Sequence, residues 1–281
     1  MVTIPEDFDE AIGAAWDEAR DAPGNLTKEE GRFLGLLAAC IPARGTIVEV
    51  SNFGGRSTIL LAKVAAHYGL GPIVTIVPSD SDVPTNTLSG MPQASYDHFV
   101  LCLRLAHVTQ HVQVRRGLIK DISEPWEEPI RLLRIDGEHS YKSVKRDFDY
   151  FLPQITPLGI VLLHEVMNTF SGPIHVFLEE MLRSGQFGPA GVFGMHGWGQ
   201  FRPQDGRDFQ QRRSELEERV SELLPFVEGE RAPRGLAKIR FKLKRMRVPR
   251  SRIRPRTWEE MLARSPEATP TNKQEQDSKS E

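Results

Sequence analysis

Leu132-Leu133-Arg134-Ile135-Asp136-Gly137-Glu138-His139-Ser140-Tyr141 decides how this chain folds. It is an apolar run that stops at acids, a glycine and a histidine. The pattern returns as Gly159-Ile160-Val161-Leu162-Leu163-His164-Glu165. Short, nearly continuous apolar runs bounded by turn residues read as strands buried on both faces, the habit of parallel sheets. Ligands bind outside the carboxyl ends of such strands. Asp136, His139, His164 and Glu165 are therefore expected to converge on one small volume.

Outward from these runs, strands and helices alternate. Residues 6–20 predict a first helix, broken by Pro23-Gly24-Asn25. Thr27-Lys28-Glu29-Glu30 opens a second with a capping-box pattern and runs to Cys40. Strands are predicted over 46–50, 72–77, 112–116, 131–136 and 160–163. Helices are predicted over 57–66, 96–108, 142–151 and 174–183, and a late strand or hairpin over 192–201. This alternation argues an α/β fold with a mainly parallel, doubly wound sheet and right-handed crossovers. The expected organisation is an N-terminal helical cap (1–45), a main domain (46–226), a basic extension (227–264) and a disordered tail (265–281).

The chain has 281 residues and a net charge of −2, which conceals an asymmetry. Residues 231–256 hold twelve Lys/Arg and no acid, while 257–281 hold three against six acids, which leaves −11 on the first 230 residues. Lys238-Ile239-Arg240-Phe241-Lys242-Leu243-Lys244 alternates charge with apolar residues, which predicts an extended segment. Such an arm suits a weak contact with an anionic membrane surface; the other reading is a solvated arm covering the domain or a partner copy. Without a folded nucleic-acid motif, specific base reading is not expected. Cys40 and Cys102, each within an apolar pattern, read as buried thiols of a reducing compartment. The N-terminal residues lack the features of a signal peptide. The expectation is a cytoplasmic protein, peripheral to a membrane at most, with a homo-oligomer allowed.

Val48-Glu49-Val50-Ser51-Asn52-Phe53-Gly54-Gly55-Arg56-Ser57-Thr58 is strand, glycine turn and helix start, a place suited to an anionic ligand group. A tight structural turn capped by Ser57 is the other reading. Together with the two strand-ends at 135–141 and 164–165, this stretch resembles motif I of class I S-adenosylmethionine (SAM) dependent methyltransferases. The similar branch carries E-I-G-S-x-x-G-x-S-T, then I-D-G-D-H-S-Y, then a strand ending in H-D. Here stand Glu49, Gly55, Ser57 and Thr58, then Ile135-Asp136-Gly137-Glu138-His139-Ser140-Tyr141, then His164-Glu165, with Ser171-Gly172-Pro173 ahead of the next helix. The resemblance spans roughly residues 26–201.

It implies a seven-stranded Rossmann-like methyltransferase fold and O-methyl transfer to a hydroxyl of a small molecule or glycan. It implies SAM contacts from Glu49, Ser51, Asn52, Gly55, Ser57, Thr58 and Asp136. His139 is then the expected proton acceptor, with Asp136 beside it. Asp136 and Glu165, ending adjacent strands, are expected to share a divalent ion such as Mg2+, with His164 orienting a carboxylate. Two positions depart from the branch. Its first motif-I glycine is Ser51, and the acid expected to take the ribose hydroxyls is Val77, for which Asp80 is the substitute. These departures favour the rival reading, a non-catalytic methyltransferase-like binding or scaffolding protein. His196 with Trp198 reads either as a wall of an acceptor pocket or as core. A nucleophile-elbow hydrolase is disfavoured, because no G-x-S-x-G follows a strand.

Overall fold

The computed structural model describes residues 4–51, 54–78, 95–117, 119, 126–227 and 233–251. Five strands, β1 (Thr46–Val50), β2 (Ile73–Val77), β3 (Val112–Arg116), β4 (Ile130–Ile135) and β5 (Ile155–Leu163), run parallel. β6 (Phe187–Phe193) and β7 (His196–Phe201) form an antiparallel hairpin, and β7 pairs antiparallel with β5. The sheet order is β3-β2-β1-β4-β5-β7-β6. Strand order therefore reverses between β1 and β4, the switch point where such sheets open a crevice at their carboxyl ends.

Side chains alternate across the sheet. Ile47, Leu132, Ile160 and Leu162 face a core shared with helices α1 (Phe8–Ala19), α2 (Lys28–Ala39), α3 (Arg56–His67) and α4 (Tyr96–Leu105). Val48, Leu133, Ile135, Val161 and Leu163 face the other core. There they meet α5 (Tyr141–Phe151), α6 (Ser171–Val176), the wider turn that continues it over Phe177–Leu182, and α7 (Gln210–Ser221). The predicted capping box is present: Glu30 N donates to Thr27 Oγ1 (3.2 Å), and Thr27 N donates to Glu30 Oε2 (3.0 Å).

Two elements differ from expectation. β5 begins five residues early, with Leu158 in left-handed backbone (φ +69°). Pairing with β4 jumps from Ile130↔Ile155 to Leu132↔Ile160, and Thr156 Oγ1 donates to the Ile130 carbonyl (3.0 Å) at the bulge. The basic stretch is not extended but forms helix α8 (Gly235–Arg247). Its period-two alternation is local. Over the longer window Leu236, Ile239, Leu243 and Met246 recur at helical spacing, while Phe241 and Val248 are buried on the domain. The tail expected over 265–281 and residues 228–232, between α7 and α8, lie outside the described residues.

Candidate active site

Glu49 and Arg134 each stand one residue before the end of neighbouring strands and are in register across β1 and β4. Parallel pairing in register places both on one face, deep in the sheet: Glu49 is 0% and Arg134 2% exposed. Arg134 Nη1 donates to Glu49 Oε1 (2.8 Å), and its Nη2 donates to Asp136 Oδ2 (2.6 Å). Ser57 Oγ donates to Glu49 Oε1 (2.6 Å) and Thr58 Oγ1 to Oε2 (2.5 Å). A buried carboxylate without such partners would cost far more than these bonds return. The cluster ties the first turn of α3 to the sheet, and Gly55, at φ +86°, makes the preceding turn.

From Arg134 the polar chain continues across β4 and β5. Asp136 Oδ1 lies 2.7 Å from His164 Nδ1 and 3.7 Å from His139 Nε2. Burial opposes the charge on Asp136, but Arg134 and His164 outweigh it and hold the carboxyl well below the usual range. Burial likewise opposes a charged His164, and Asp136 outweighs it, so the net shift is upward toward the imidazolium. The His164 ring lies 4.6 Å from that of His196. His196 is pushed down to about 4, chiefly by burial, with His164 and Arg134 adding to it against Glu30. Beyond it, Glu30 Oε1 sits 3.5 Å from His196 Nδ1 and accepts from Met195 N (2.8 Å). Burial opposes charge at Glu30 too, and His196 with the Met195 and Thr27 amides brings it below the ordinary carboxylate value.

His139 stands at the mouth of this chain. Its ring stacks on Phe170 (4.5 Å, 27°), and its Nε2 is buried with no hydrogen-bond partner. Gly172 fixes the loop: its amide donates to the His139 carbonyl (3.1 Å), and a Cβ there would stand 2.5 Å from the His139 and Ser140 carbonyl oxygens. Ser140 caps α5 by accepting from Ser143 N (3.3 Å). An orphaned imidazole nitrogen beside a fixed carboxylate is an arrangement that can take a proton from a bound hydroxyl.

The sequence-predicted residues divide accordingly. Asp136, His139 and His164 come together, with ligand atoms within 4.8 Å of one another. Glu165 does not join them: its backbone is left-handed (φ +62°), and its carboxylate accepts from Asn168 Nδ2 (2.8 Å). His164 occupies the place expected of it. Ser57 and Thr58 turn their hydroxyls to Glu49 rather than outward, and the helix cap is Gly55, not Ser57. Ser51 is buried, with its amide donating to the Ile76 carbonyl (2.9 Å). Val77 ends β2 fully buried. Asn52 and Asp80 lie outside the described residues. His196 and Trp198 are core, 1% and 0% exposed, so the acceptor-wall reading is overturned. Arg134, Phe170 and the contact of the capping-box Glu30 with His196 escaped the sequence reading; the signal for Arg134 was its register with Glu49.

The sheet order and the site at its switch point define a class I methyltransferase fold. Residues 48–166 match the model of the family Methyltransf_24, a methyltransferase domain. Among solved structures, a protein from Klebsiella pneumoniae assigned as an O-methyltransferase is similar (TM-score 0.50, 18% identity), with 71% of this chain and 92% of that one covered. Cofactor-bound Rv0187 from MTB has a TM-score of 0.48 at 21% identity over 71% of this chain and 92% of that one. The Bacillus cereus O-methyltransferase in complex with SAH gives 0.47 at 18% over 72% and 93%. Protein y4gI of Sinorhizobium fredii is 35% identical over 65 residues, which are 22% of this chain and only 7% of that relative's length.

Proposed function

We propose that this chain is a SAM-dependent O-methyltransferase acting on a hydroxyl of a small molecule or glycan. The observation that carries the reading is His139 Nε2, buried, unpartnered and beside Asp136 at the carboxyl end of β4. SAM, when bound, supplies a methyl group on a sulfonium centre already activated for transfer. The α3 N-terminus after Gly55 would hold its charged amino-acid end. Holding the acceptor in line supplies much of the rate. His139 takes the hydroxyl proton at Nε2, the work for which histidine suits neutral pH. Asp136, fixed by Arg134 and His164, lies 3.7 Å from that nitrogen and stabilises the imidazolium that forms.

Mg2+ does not fit the donors present. The grouped side chains are one carboxylate and two imidazoles, a set that suits transition metals, and both Asp136 oxygens are engaged. We assign proton removal to His139.

Val77, and the hydroxyls of Ser57 and Thr58 turned to Glu49, favour a second reading: a methyltransferase-like binding protein that no longer holds SAM. Methyl transfer from labelled SAM to a panel of sugar and phenol hydroxyls separates the two. His139→Ala is expected to lower turnover at least about a hundredfold while SAM affinity stays within a few-fold. Unchanged turnover removes His139 from the role of base.

A further inference from the structure

The outer face of α8 belongs to no part of the proposed reaction. Leu236, Ile239, Leu243 and Met246 are 73, 57, 56 and 72% exposed. At 3.6 residues per turn they fall in one narrow stripe. The stripe lies opposite Phe241, which is buried and packs its ring 5.9 Å from that of Phe226. The helix is thus docked by one face and offers a second apolar face to the outside.

The docking is firm on the inner side. Lys244 Nζ donates to Glu222 Oε2 (2.6 Å), and Arg245 Nη1 donates to the Met167 carbonyl (3.2 Å). After the helix, Ser251 N donates to the Val192 carbonyl of β6 (2.7 Å). The remaining cations of the segment, Arg234, Lys238, Arg240, Lys242 and Arg247, are exposed. On the helical wheel Arg240 and Arg247 border the stripe on one side and Lys242 on the other, with Lys238 one step further round from Lys242.

We propose that α8 is a membrane-surface helix that seats the protein on anionic phospholipid, with the stripe lying among acyl-chain ends and the flanking cations on headgroups. An apolar stripe bordered by Lys and Arg is the pattern of interfacial helices. Charge complementarity selects the occupant. A stripe this apolar adds nothing to phosphate-backbone binding, and a ring of like cations repels a second copy of itself. No helix among the described residues is long and apolar enough to cross a membrane, so the contact is at the surface.

The test is sedimentation of the full chain with vesicles of phosphatidylcholine alone or mixed with phosphatidylserine. The expected result is binding to the mixed vesicles, weakened by salt. Ile239→Glu with Leu243→Glu should abolish it, and Lys238→Glu with Lys242→Glu should lower it at least about tenfold. Both pairs are exposed, and unchanged thermal unfolding verifies the fold. Absence of binding to mixed vesicles, or equal binding by the stripe variant, overturns the proposal. So does a dimer in sedimentation equilibrium that the stripe variant dissolves while wild type ignores vesicles. None of these outcomes depends on methyl transfer.

Discussion

Replacing Arg134 with methionine removes the one cation that, among the described residues, links Glu49 to Asp136. Two ion pairs are lost, at 2.8 and 2.6 Å, from a site where Arg134 is 2% and Glu49 0% exposed. Methionine fills much of the volume, so cavity formation contributes little. The dominant cost is Glu49 left buried without a counter-charge, since Asp136 keeps His164. Breaking a buried pair by removing one partner costs about 3–5 kcal/mol. With a urea slope of about 3 kcal/mol per molar, the unfolding midpoint should fall by about 1–1.7 M. Glu49→Gln in the same chain removes the stranded charge; its carbonyl oxygen still accepts from one of Ser57 and Thr58, the other hydroxyl turns to accept from the new amide, and about 2 kcal/mol should be recovered. The measurement is urea unfolding of wild type, both single variants and the double variant, read as a cycle. A loss under about 1 kcal/mol for Arg134→Met, or simple additivity, would refute the buried-charge account of the site.

Stability should also fall with acid. His196 titrates near 4 in the folded chain and at its ordinary 6.5 when unfolded, so its contribution is complete above 6.5 and drains away toward 4. The separation amounts to about 3 kcal/mol, of which about 2 is already gone at pH 5. Glu30, lowered by folding, adds loss in the same direction below its ordinary value, whereas His164, raised by folding, loses its contribution only as pH rises. His196→Phe should flatten the profile between pH 7 and 5 in urea unfolding; an unchanged slope would show that His196 does not carry it. Gly172→Ala drives a methyl group into two carbonyl oxygens and should cost about 1–3 kcal/mol, with a larger fall in turnover than in SAM affinity because the His139 loop must move. Wild-type thermal stability in that variant would refute the close approach.

The sheet was legible because β1, β2, β4 and β5 are dense in Val, Ile and Leu between breakers, and because Thr27 and Glu30 announce α2 by their spacing. Asp136, His139 and His164 were placed correctly by one rule, that strand ends face the ligand side. What failed did so for reasons of geometry between elements. The hydroxyls of Ser57 and Thr58 read as ligand donors until the register of β1 against β4 shows a buried Glu49–Arg134 pair in need of them. Glu165 reads as a partner of Asp136 until its left-handed backbone turns the carboxylate to Asn168. The alternation in 238–244 mimics a strand, and only Leu236 and Met246, outside that window, reveal the helix. His196 was ambiguous because burial in the hairpin, not its neighbours in sequence, decides its role.

The central claim is that the crevice between β1 and β4 still holds SAM although Val77 ends β2. Titration calorimetry of the full chain with SAM tests it most directly. The account predicts a saturable one-to-one isotherm that His139→Ala leaves nearly unchanged. Absence of heat with millimolar SAM would contradict it and leave the binding-protein reading standing.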